Sequence, residues 1–351
     1  MPTTYKIAAI GAGRPWKTEG ATGFGMSHRH WIGFKSTGRA ELAAVCDLVP
    51  ERSQAYANDH NPAAKLFTDY KKMMEEVKPD FVCVSLWPHL HATTVCDLAP
   101  YKPKGILCEK PMDVDWDAAM RMHLACQTHG VPLMIHHQRR FNKPFLEAKR
   151  LLDAGAIGKL LRLEGGWHNF QDSGTHLIDM LFNFAGDAEA EWVLAQADAR
   201  GGRKVFGALQ ETHGIITWRF KTGVRATYFG GKDWADLGCI IRITGESGVI
   251  EINDKGAPWV RIRKDGGTWE HPDTGGEGIH DNAAIDRGIQ DFVDAVEKGR
   301  PPVLGSQSAI RPTEVIFAAY ESALKRTRID LPLPPGPSAL RKLAADQGVE
   351  F

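Results

Sequence analysis

A chain of 351 residues exceeds the usual size of one hydrophobic core, so two domains are expected. Hydrophobic and charged contents of 43% and 25% are ordinary for a soluble globular protein, and a formal net charge of zero argues against nucleic acid or an anionic membrane as partner. No run reaches the roughly 18 apolar residues needed to span a bilayer. Six cysteines (Cys46, Cys83, Cys96, Cys108, Cys126, Cys239) form no Cys-x-x-Cys pair and sit mostly in apolar runs. They read as small buried hydrophobes in a reducing compartment. The N-terminus enters a strand at once, leaving no room for a signal peptide, so a cytoplasmic protein is expected.

Tyr5 to Ile10 forms a short apolar strand feeding Gly11-Ala12-Gly13. Glycines there allow a tight turn and let a pyrophosphate approach backbone amides at a helix N-terminus. Position 16 is Trp, so Gly-x-Gly-x-x-Gly fails literally. Arg14 to Phe24 reads as an insertion, with Gly25 as the third glycine and Met26 opening a helix. Taken alone, the pattern also fits a glycine-rich loop without chemical consequence. A second buried strand, Glu41 to Asp47, ends in an acid whose carboxylate suits an adenosine ribose diol, with a helix cap as the other reading. No arginine follows directly, which favours NAD over NADP.

The alternation continues with a helix over 68–77, a strand over 80–85 and a loop carrying Leu86, Trp87, Pro88 and His91. A helix to about residue 99 and the strand Gly105 to Cys108 come next. That strand stops in Glu109-Lys110-Pro111, since proline cannot donate to a ladder and holds the preceding residue extended. Ligands bind beyond the carboxyl ends of strands in open α/β sheets, so Glu109 and Lys110 are placed at a mouth, together with Leu86, Trp87 and His91. A helix over 115–128 and a strand over 132–136 complete a parallel, Rossmann-type sheet over residues 1–136. His89-x-His91 and His136-His137 have no carboxylate or cysteine beside them at ligand spacing, and no metal is expected.

Residues 137–351 read as an α+β domain. A helix over 145–154 precedes strands near 161–164, 193–197, 214–220, 224–229, 240–244, 249–252 and 259–263. Turn signals at Lys221-Thr-Gly223 and Glu246-Ser-Gly248 imply a large, mainly antiparallel open sheet. The segment Asp172 to Asp179 reads as a helix. At about 100° per residue, positions 172, 176 and 179 fall within roughly 60° of one another, beside an apolar face of Leu177, Met180, Leu181 and Phe184. That pattern fits a catalytic stripe, and also Asp172 as an N-cap with His176 solvated and Asp179 paired to a surface base. An amphipathic helix spans Ile285 to Val296, Pro312 opens another running to about Lys325, and Leu331 to Pro337 is a stiff tail.

Together Gly11-Ala-Gly13, Asp47, Trp87-Pro-His-Leu-His91, Cys108-Glu-Lys-Pro111, His137-Gln-Arg-Arg-Phe141 and Asp172-x3-His176-x2-Asp179 give a chain that resembles the Gfo/Idh/MocA oxidoreductase family of inositol dehydrogenases and glucose–fructose oxidoreductases. The resemblance runs nearly end to end, weakening after about Pro334. It implies Lys110, Asp172 and His176 as the catalytic set, a cis Lys110–Pro111 bond, and homodimers or homotetramers formed through the second sheet. It implies an NAD-dependent oxidoreductase acting on a secondary hydroxyl of a sugar, cyclitol or glycoside. His176 would serve as general base, Asp172 would orient it, and Lys110 would bond the reacting oxygen, with Arg140, Asn169 and Asp179 on neighbouring hydroxyls. The rival expectations are a redox-neutral glycoside lyase or hydrolase holding NAD, and a non-catalytic NAD-sensing protein.

Overall fold

The computed structural model describes residues 4–14 and 25–349. In chain order its elements are β1 (Tyr5–Ile10), α1 (Met26–Ser36), β2 (Ala40–Cys46), α2 (Pro50–His60), β3 (Lys65–Phe67), α3 (Tyr70–Val77), β4 (Phe81–Val84) and α4 (His91–Leu98). Then follow β5 (Gly105–Cys108), α5 (Trp116–His129), β6 (Leu133–Ile135), α6 (Lys143–Asp153), β7 (Leu160–Trp167), α7 (Gly174–Phe184), β8 (Ala190–Asp198), β9 (Arg203–Val205) and β10 (Ala208–Gln210). The remainder comprises β11 (His213–Phe220), β12 (Arg225–Gly230), β13 (Ile241–Gly245), β14 (Gly248–Ile252), β15 (Val260–Lys264), α8 (Ala283–Glu297), α9 (Ser306–Lys325), β16 (Ile329–Asp330) and α10 (Leu340–Asp346).

The chain divides into two compact units, the first comprising Met1–Val114, Ala118–His136 and Ile285–Gln307. Its sheet runs β3-β2-β1-β4-β5-β6 with every pair parallel. All four residues of β4 and of β5 are buried, as expected of central strands covered on both faces. The return of 285–307 differs from the unbroken second domain expected over 137–351. Gly105 explains the return, because a Cβ there would lie 2.5 Å from the Phe292 ring of α8. Phe292 meets Phe81 edge-on at 5.4 Å, and Arg39 bonds Asp294 and Glu297 at 2.6 Å each. The apolar stripe of α8 is therefore a wall of the first core.

The second unit comprises Asp115–Asp117, His137–Ala284 and Ser308–Phe351. Its eight-stranded sheet runs β15-β14-β13-β7-β12-β11-β8-β16, antiparallel except where β12 lies parallel to β7. Ile216, Trp218 and Phe220 alternate onto one face of β11 and are fully buried, with Trp218 stacked on Phe182 of α7 at 6.1 Å. The opposite face leaves Leu194 and Ile215 46% and 39% exposed. Pro312 lies inside α9 instead of opening it. The short β3, β16, the β9–β10 hairpin, α2 and α10 carry too little periodicity to announce themselves, and the sequence reading lacks them.

Candidate functional site

The first half of the site is built at the point where the strand order reverses. β1 and β4 are neighbours whose following connections diverge, which opens a crevice at their carboxyl ends. Gly11 occupies it at φ 85°, and a Cβ there would lie 2.5 Å from the Ser85 carbonyl oxygen. Only glycine fits both the backbone angle and that approach. Gly13 (φ 60°) and Gly25 (φ 64°) flank the turn, and Gly25 precedes the first turn of α1. Asp47 follows β2 and ties the turn down, accepting from Ala12 N at 2.9 Å and Val49 N at 2.9 Å. A carboxylate has about four lone-pair positions, so these two bonds leave acceptor capacity for a ribose diol. Met26 begins α1, and the Ser27 hydroxyl donates to the Ala12 carbonyl at 3.1 Å. The expected insertion over Arg14–Phe24, with Trp16, lies outside the described residues from 15 to 24.

Beyond β4, Trp87 is 47% exposed, whereas His91 is fully buried between the Pro111 carbonyl (2.8 Å) and the Leu86 carbonyl (3.0 Å). His91 thus joins the loops after β4 and β5. Both its ring nitrogens are thereby taken, so a nicotinamide expected beside it would meet the ring and not a free nitrogen. The Lys110–Pro111 bond is cis.

Glu109, expected at the cofactor mouth, is held by buried partners. Its Oε1 lies 2.9 Å from His30 Nε2 and 2.8 Å from His136 Nδ1, and its Oε2 accepts from Lys110 N at 3.2 Å. Burial alone would raise its pKa, but the two imidazoles overcome that and hold it well below the ordinary range. His136, expected to stand without a carboxylate, therefore has one. The ligand atoms of His30, Glu109 and His136 lie within 4.8 Å of one another, and the mutual hydrogen bonds, with His30 Nδ1 3.2 Å from Ser85 Oγ, account for the cluster.

In the second unit the turn after β7 carries the other candidates. Gly214 and Gly230 form a seat for Phe170, since a Cβ on either would come within 2.3 Å or 2.8 Å of its ring. The buried Glu211 carboxylate accepts from Phe170 N and, at 2.7 Å, from Tyr320 Oη. Anchored this way, the turn presents Asp172 immediately before α7, which starts at Gly174 and contains His176. The helix expected from 172 is therefore shorter, and the angular estimate does not extend to Asp172. Asn169 Oδ1 accepts from Asp172 N (3.0 Å) and Ser173 N (2.8 Å), so its carbonyl orders the turn in place of a substrate.

Arg140 is committed as well. It is 4% exposed, bonds Asp179 through Nε and Nη2 at 2.8 Å each, and reaches Asp187 at 2.7 and 2.8 Å. His137 adds Nδ1 at 3.5 Å from Asp179 Oδ1 and Nε2 at 3.1 Å from Thr175 Oγ1. Arg140 and Asp179, expected to meet substrate hydroxyls, instead fix the 138–141 turn to α7.

Residues 5–137 match the family model described as an oxidoreductase family with an NAD-binding Rossmann fold. That match is to the Gfo/Idh/MocA oxidoreductase family and covers 133 of the 351 residues, the parallel-sheet part of the chain. An inositol 2-dehydrogenase of Salmonella typhimurium is 31% identical over 130 residues, and this stretch is 37% of the chain and 38% of the relative's length. An inositol 2-dehydrogenase/D-chiro-inositol 3-dehydrogenase of Shouchella clausii is 25% identical over 318 residues, 85% of each chain. An oxidoreductase from Agrobacterium radiobacter, solved with NAD+, L-tartaric acid and magnesium, superposes with a TM-score of 0.76 at 19% identity, covering 93% of this chain and 98% of that one.

The glycine cradle, the switch-point crevice and Asp47 fit a dinucleotide, in line with the match over residues 5–137. Sequence reasoning missed His30, Glu211, Phe170 and Arg139. His30 had a usable signal: Met-Ser-His-Arg-His-Trp puts His30 four residues beyond Met26, on an otherwise apolar face. Arg139 had none beyond its place in the Arg-Arg pair.

Proposed function

We propose that this chain is an NAD-dependent dehydrogenase acting on a secondary hydroxyl of a sugar, cyclitol or glycoside. The observation that supports it most is the cradle at the switch point, where Gly11 cannot carry a side chain and the Asp47 carboxylate is held beside the turn. NAD, when bound, supplies the hydride acceptor. Gly11, Ala12, Gly13, Gly25 and Met26 would hold its phosphates, Asp47 a ribose, and Leu86 and Trp87 would border the ring.

The protein's own groups handle the proton. His176 accepts the hydroxyl proton on its imidazole, and Asp172 orients that ring and stabilises its cationic form. Lys110 donates a hydrogen bond to the same oxygen and lowers its pKa. The Arg140–Asp179 pair and Asn169 hold α7 and its preceding turn, so that His176 is presented from a fixed element. A homodimer or homotetramer through the open sheet face is part of the same reading, supported by Leu194 and Ile215 exposed on adjacent strands. Light scattering that returned a monomer would remove that part.

The test is a panel of sugars, inositols and glycosides with NAD, following absorbance of reduced nicotinamide. Substrate-dependent NADH formation is expected. Product formed without net NADH would point to redox-neutral chemistry, and NAD affinity without turnover would overturn the enzyme reading.

A further inference from the structure

Arg139 is a buried cation for which the described residues supply no counter-charge. It is 7% exposed, and its side chain's only hydrogen bond among the described residues runs from Nη1 to the Ile279 carbonyl at a long 3.5 Å. Among the described residues its Nε has no acceptor, and no carboxylate lies within ion-pair distance. The adjacent Arg140, buried to the same degree, has two. Burial lowers the Arg139 pKa only to about 10, so the side chain is charged at neutral pH. A guanidinium taken from water without a counter-charge is strongly unfavourable, and an anionic ligand would supply the charge that the described residues do not.

The surroundings specify what carries that anion. The guanidinium carbon lies 5.9 Å from the Trp167 and Phe145 ring centroids. Trp167 packs on Trp234 at 4.9 Å with 32° between planes, and His280 is 6.3 Å from Trp167. Both indoles are half-buried and His280 is exposed, so the group opens to solvent. Flat aromatic faces beside a polar anchor suit the C–H face of a sugar ring. Trp167 ends β7, and the turn that follows it carries Asp172.

We propose that Arg139, with Trp167, Trp234 and His280, forms a subsite for the carboxylate of a sugar acid, so that the substrate is a uronic or aldonic acid or its glycoside. The planar guanidinium fork matches a planar carboxylate. This rests on the dehydrogenase reading and adds the substrate class to it.

The experiment is a tryptophan-fluorescence titration of the full chain with NAD present, using D-glucuronate, D-glucose and D-glucose 6-phosphate. Glucuronate is expected to bind at least about tenfold more tightly than glucose. Arg139→Gln should abolish that preference with glucose affinity unchanged, and Arg139→Lys should keep part of it. Arg139→Met should raise the ligand-free Tm by removing an unpaired buried charge. Equal affinities in the wild type, a preference that survives Arg139→Gln, or tighter binding of the phosphate than of glucuronate would each overturn the subsite. NADH formation from neutral sugars with indifference to acids would remove the subsite and leave the dehydrogenase standing. Acid-selective binding without NADH from any sugar would do the reverse.

Discussion

Arg140 holds Asp179 through two parallel hydrogen bonds of 2.8 Å, with both side chains almost wholly removed from water. Burial alone would raise the Asp179 pKa, but the guanidinium and the His137 imidazole bring it to about 2. The pair fastens the turn after His136 to the helix that carries His176. Its energetic weight lies in the cost of leaving one member alone.

Arg140→Met would leave Asp179 buried with only His137 for company. A loss of about 3–5 kcal/mol in urea unfolding is expected. A loss below about 1 kcal/mol, the scale of an exposed pair, would mean that the pair is hydrated in solution.

Stability should fall on acidification below pH 6.5. Burial lowers the pKa of His28 to about 4, and burial likewise lowers those of His30, His91 and His123. Between the folded and unfolded values the unfolded chain binds more protons, so stability rises with pH across that window and drops as pH descends through it. Each fully buried imidazole contributes at most about 1.4 kcal/mol per pH unit. The depressed Glu109 pKa adds a loss that sets in at lower pH. Calorimetry should show Tm decreasing from pH 6.5 toward 4, and a flat Tm would contradict the assigned neutral states.

Gly11→Ala puts a methyl 2.5 Å from the Ser85 carbonyl oxygen at φ 85°. Strain of about 1–3 kcal/mol is expected to open the turn and weaken NAD binding roughly tenfold or more. Titration calorimetry with NAD measures this, and unchanged affinity would place the phosphates elsewhere.

A fragment of residues 1–136 omits α8, and with it the Phe292 contact with Phe81. It should unfold without cooperativity, while Phe292→Ala in the full chain should cost about 3–5 kcal/mol. A cooperative fragment would make α8 an accessory.

Much of this was readable beforehand where local chemistry dictates geometry. Gly11, the strand end at Glu109-Lys110-Pro111 and the alternating βα pattern all stand where their residue types require. What could not be read depends on partners distant in sequence. Glu109 looked like a mouth residue because nothing local reveals His30, 79 positions earlier, or His136, 27 positions later. Arg140 and Asp179 looked available for substrate because each lacked a visible counter-charge, and each turned out to be the other's. Pro312 misled for a different reason: proline favours a first turn, yet α9 accepts it inside.

In the proposed mechanism His176 takes the proton from a substrate hydroxyl. The most direct measurement compares steady-state turnover and NAD affinity of His176→Ala with the wild-type chain on the best substrate from the panel. Turnover is expected to be lower by about 10²–10⁴-fold, with the NAD dissociation constant unchanged. Wild-type turnover in that variant would contradict it.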